Sequence, residues 1–146
     1  MYQGQQEWLR QGIEWMKLKE ADFIARYFEA VRAGPPNFFS RMDDATLSKF
    51  AQVNIKGIIA RLDGVQISLE RTETNLFAFF EQGCILSDLQ QVLETGSNLI
   101  NDYVKQQLSD RPLVATALLD KIKYIEQAYA TVTSLAMVKF HTRKQA

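Results

Sequence analysis

Apolar positions along this chain recur at steps of three and four, and no segment alternates convincingly with period two, so the pattern predicts helices throughout. Five segments are readable. The first runs from about Gln5 to Ala33, with Leu9, Ile13, Met16, Phe23, Tyr27, Phe28 and Val31 on its apolar face, and Gly34-Pro35-Pro36 ends it. Phe38 and Phe39 fall in the connection that follows. The second helix is capped by Asp43 or Asp44, shows Leu47, Phe50, Ile55, Ile58 and Leu62, and closes at Asp63-Gly64. The third, from about Val65 to Gln82, carries Leu69, Leu76, Phe77, Phe79 and Phe80 and stops at Gly83, a residue suited to a left-handed cap. Ser87 and Gln90 form a capping-box pattern for the fourth, which continues through Val92, Leu93, Ile100, Tyr103 and Val104 to Leu108. Gly57 and Gly96 interrupt good helical patterns at about 1 kcal/mol each relative to alanine. Either that cost is tolerated or helices cross closely there.

The fifth helix dominates the reading. Asp110-Arg111-Pro112 breaks the chain, and from Leu113 to Ala146 there is neither Gly nor Pro. Leu118, Ile122, Ile125, Tyr129, Val132 and Ala136 make a stripe at alternating steps of four and three, the spacing that favours a helical partner. Leu119, Ala128, Leu135, Val138 and Phe140 widen it. Thirty residues of helix span roughly 45 Å, longer than a small helical domain is wide. The expectation is one all-α domain over 1–146, a globin-like bundle of five or more helices with 113–146 as a projecting terminal helix. A band this wide is expected to build a homodimer, with Trp8, Trp15, Ile125, Tyr129, Val132 and Leu135 at the interface or against another partner.

Composition narrows the function classes. Seventeen basic and 17 acidic side chains give a formal net charge of zero, which disfavours a nucleic-acid binder. One cysteine excludes an internal disulfide and fits a reducing, cytoplasmic setting. No uncharged run approaches the roughly 18 residues of a membrane span, so no membrane partner is expected.

Candidate chemistry is sparse. His141, the one histidine, lies near the end of the last helix beside Lys139, Arg143 and Lys144, where a haem ligand is not expected. One Cys and one His far apart make a poor zinc set. Cys84 reads as a packing residue, with redox sensing as its competing use. No Glu-x-x-His pair, phosphate-cradling loop or nucleophile elbow occurs. The expectation is a protein that is not an enzyme and needs no cofactor. Nine Phe, five Tyr and two Trp fill a core or line an apolar pocket, for which Phe38, Phe39, Phe77 and Phe80 are the candidates.

The stretch RTETNLFAFFEQG from Arg71 to Gly83, followed by CILSDLQQVL from Cys84 to Leu93, resembles RsbR-type N-terminal domains of bacterial stressosome proteins. The shared pattern is an Arg-bearing helix closing on Gly, a short apolar link and a capped Leu-rich helix; the likeness runs to Ile100, and beyond it only the overall plan matches. The resemblance implies a haem-free globin-like fold, a homodimer, and a last helix that leads into a STAS domain. It carries over Arg71, Gly83 and Leu89 as structural positions. No STAS segment is present and Thr142 is only a positional candidate for a phosphoacceptor. The function expected is therefore a sensory or regulatory domain of a stress-signalling protein, with a small apolar-ligand carrier or a helical adaptor as the alternatives.

Overall fold

The computed structural model describes residues 3–145, and within them every regular element is a helix: α1 (Gln3–Leu18), α2 (Glu20–Ala33), α3 (Asp44–Leu62), α4 (Leu69–Glu81), α5 (Leu86–Gln107) and α6 (Pro112–Gln145). Long α6 is the spine. It packs along α1 and α5, then along α4, and touches α3, while α2 lies against α3 and α5. All six elements contribute to one core, including Met16, Phe23, Ile55, Leu76, Ile100, Leu118 and Ile122, each at most 1% exposed.

The expected first helix is two. Neither Gly nor Pro marks the break at Lys19, whose amide bonds back to both Trp15 and Met16 carbonyls. The division lets α1 follow α6 while α2 turns onto α3 and α5. Gly12 makes the first contact close, since a Cβ there would fall 2.9 Å from Leu118 Cβ. Asp43 is the cap of α3, accepting from the Thr46 amide at 2.8 Å. Helix α4 begins at Leu69, later than its apolar pattern suggests, because the Ser68 hydroxyl accepts the Arg71 amide. Ser87 does not cap α5. That helix starts two residues earlier, with Ile85 at the cap position, and the Asp88 carboxylate takes the Ile85 amide at 3.0 Å instead.

Gly83 ends the α4 segment with φ +101°, the left-handed geometry its position suggested. A Cβ there would meet nothing within 4 Å, so a substitution costs conformation and not packing. Gly83→Val is expected to lose about 1–2 kcal/mol, read as a lower melting temperature, and Gly83→Asn less. Equal stability of all three proteins would place the helix stop elsewhere.

One side of the far end of α6 is clad by α4. Phe140 packs on Phe77 and Phe80 with centroids 5.9 and 5.3 Å away, and Lys139 and Lys144 pair with Glu73 and Glu81. The predicted stripe faces inward: Leu118, Ile122, Ile125 and Ala136 are buried, with Tyr129 and Val132 half-buried. A second series, Tyr124, Ala128, Thr131, Leu135 and Val138, is exposed at the same alternation of four and three. No described helix is long and apolar enough to cross a membrane.

Candidate ligand cavity

Helix α3 approaches neither α4 nor α5 closely, and a cavity of about 390 Å³ occupies the space between them. Large rings hold the gap open at one end, where Phe39 stacks on Phe50 at 4.6 Å and Phe79 meets both edge-on. Val53, Gly57 and Ile58 of α3, Leu93 and Ile100 of α5, and Ile125 of α6 continue an apolar wall. A volume of a few hundred Å³ lined this way is the usual setting for a small molecule.

Polar side chains break that wall, with Thr46, Lys49 and Asn54 of α3, Thr72 and Asn75 of α4 and Ser97 of α5 among them. Tyr27 reaches it from α2, Arg61 from α3, and Glu126 and Tyr129 from α6. Tyr27 is 3% exposed, and its ring lies so close over α5 that a Cβ on residue 96 would sit 2.7 Å from Cε2. Gly96 is therefore the close crossing. Gly57 is not: its Cβ position meets only Arg61 Nη1 at 4.0 Å, so its missing side chain is part of the open volume.

The electrostatics follow from burial. The Tyr27 phenol has no hydrogen-bond partner among the described residues and opens onto the cavity; burial raises its pKa, and Tyr129 and Glu126 add to the effect. Burial also raises Glu126, opposed by the Ser97 hydroxyl, which donates to its carboxylate at 3.2 Å. Burial lowers Arg61, opposed by Tyr129, over whose ring its guanidinium lies 5.5 Å from the centroid. Neither Arg61 nor Glu126 has an oppositely charged partner among the described residues.

The sequence candidates are distributed differently. Phe38, Phe39, Phe77 and Phe80 do not gather around one cavity: the first two join the ring cluster behind Phe50, and the others pack under Phe140. Among the interface candidates, Ile125 and Tyr129 wall the cavity, and Trp15 packs within the chain, edge-to-face with Phe23 and tilted against Tyr103. Trp8 is half-buried against the core and Val132 half-buried, whereas Leu135 is 58% exposed. Tyr27, Arg61 and Glu126 carry no motif. The available signal was Glu126 itself, a single charge between Ile125 and Tyr129 inside an apolar stripe.

Cys84 is buried, and burial, aided by Asp88, pushes its thiol up to about 12. Almost no thiolate exists at neutral pH, and the thiolate is the reactive species. Alkylation by iodoacetamide is expected only on unfolding; fast labelling of the native protein would contradict this. His141 is exposed, and no group of three or more His, Cys, Asp or Glu side chains converges as a metal site among the described residues.

Compared with known proteins, the chain matches no family model, no curated protein and no solved structure.

Proposed function

We propose that this chain is a non-enzymatic sensory or regulatory domain, holding a small molecule in the cavity and signalling through α6 to a second copy. One observation carries the reading: α6 is two-faced over the same turns. Ile125, Glu126 and Tyr129 wall the cavity, while Tyr124, Ala128 and Thr131 stand exposed behind them. A molecule that shifts the inner face moves the outer one, because a helix transmits displacement as a rigid element. The one histidine supports a non-catalytic reading, since His141 lies fifteen residues beyond Glu126, roughly 22 Å along the axis, and does not relay the Ser97–Glu126 pair. The all-helical plan with a long last helix supports the RsbR-type resemblance, and with it a cytoplasmic, globin-like stressosome module feeding a STAS domain.

Gly57→Leu tests this. Leucine favours helix over glycine by about 1 kcal/mol and occupies the open volume, so the variant is expected to melt slightly higher. A small molecule extracted stoichiometrically from the native protein and identified by mass spectrometry is expected to be missing from the variant. Adding it back should shift the monomer–dimer balance of the native protein alone. A bound molecule that leaves that balance unchanged would favour the carrier, and a native protein that holds nothing would overturn the sensor.

A further inference from the structure

Two half-buried charges at the cavity lack an ion partner among the described residues. Lys17 with Asp63, Arg32 with Asp44, and Lys139 with Glu73 all find partners on the open surface. Arg61 and Glu126, both partly withdrawn from water, do not. Withdrawing an unpaired charge from solvent is unfavourable, and a bound counter-charge relieves it. A ligand bearing a single charge would relieve one of these two half-buried groups and be repelled by the other, while Lys49, also on the lining, is exposed and stays solvated.

Their placement gives a span. The Arg61 guanidinium lies over the Tyr129 ring, and Glu126 precedes Tyr129 by three residues, which puts their Cβ atoms about 5–6 Å apart on one face of α6. Both charged residues are thus neighbours of a single aromatic side chain. Tyr27, 3% exposed as a residue, lines the same space, and its hydroxyl is a further donor without a partner among the described residues. Phe50, Val53, Phe79 and Ile100 leave an apolar compartment beside these groups.

We propose that the cavity is a site for an apolar zwitterion of the amino-acid class, its carboxylate held by Arg61 and the Tyr27 hydroxyl, its ammonium by Glu126, and its side chain by the Phe50–Phe79 wall. This rests on the reading that the cavity is a ligand site.

Calorimetric titration of the full chain with L-phenylalanine, phenylpropionate and phenylethylamine separates the terms. L-Phenylalanine is expected to bind one-to-one, and the two analogues at least about tenfold more weakly. Arg61→Gln should remove the preference over the amine, and Glu126→Gln the preference over the acid. Arg61→Lys should restore part of the first, with melting curves confirming that each variant is folded. Phenylpropionate binding as tightly as the amino acid, and blocked by Gly57→Leu, would overturn the zwitterion while leaving the cavity a ligand site. Failure of all three probes to bind the folded protein at millimolar concentration would overturn the ligand class. If no molecule co-purifies either, the sensor reading falls with it.

Discussion

Phe39→Ala is expected to cost about 3–5 kcal/mol, the range for removing a fully buried aromatic ring. At roughly 3 °C per kcal/mol for a chain of this size, the melting temperature should fall by about 10–15 °C. Phe39 is 0% exposed and touches Phe38, Phe50 and Phe79 at centroid distances of 5.2, 4.6 and 5.5 Å. It sits in an irregular connection, so its position depends on polar contacts. The Asn37 carboxamide oxygen accepts the amides of Phe39 and Ser40 at 2.9 Å, and its nitrogen donates to Gln91 at 3.1 Å. Arg32 fastens the same segment by donating to the Ser40 and Met42 carbonyls. Because Phe50 and Phe79 also wall the cavity, losing the ring behind them should weaken binding there as well as stability. Phe38→Ala, at a half-buried position, should cost clearly less. Equilibrium denaturation checks both, and comparable small losses would mean the ring cluster is not a structural keystone.

That cluster shows where sequence reading reached and where it stopped. Helix ends with chemical markers were legible: Asp43 or Asp44 as a cap, Asp63-Gly64 as a close, Gly83 as a left-handed stop, Pro112 at the opening of the last helix. The break at Lys19 was not, because Met16 and Phe23 are seven residues apart and read as one unbroken face; only the competing demands of α6 and α5 divide it. Periodicity identified one wide apolar band on α6 and read it as an interface, without separating the side that turns inward from the one that stays exposed. Leu118 through Ala136 and Tyr124 through Val138 share one spacing, and burial follows from where α1, α4 and α5 lie. The cavity was the least visible feature. It arises where α3 stands away from its neighbours, and its polar lining, positions 27, 61, 75, 97 and 126 among it, is drawn from α2, α3, α4, α5 and α6. Sequence spacing within any one helix does not encode such a meeting.

Leu135→Glu combined with Val138→Glu is expected to weaken self-association at least about a hundredfold while leaving each subunit folded. The two side chains are 58% and 64% exposed, so within one subunit the change is a surface substitution, usually within about 0.5 kcal/mol. In a symmetric pair joined through α6, the same change places four carboxylates along the seam, where burial and like charge act together. The exposed series from Tyr124 to Val138 has the spacing of a coiled-coil seam, and its members carry no charge. The chain also has surface to spare. It exposes 8766 Å² at 16.7 kDa, about 1,100 Å² beyond the roughly 7,600 Å² of a compact monomer of that mass. A standard interface takes about 800 Å² from each partner. Val132→Glu is the contrasting variant: Val132 is half-buried between Tyr129 and Ala136 on the inner side, so a carboxylate there should lower the melting temperature of the subunit itself. Sedimentation equilibrium at micromolar concentration decides the matter. A native protein that is monomeric throughout, or a double variant that still pairs like the native one, would remove α6 as the dimer element.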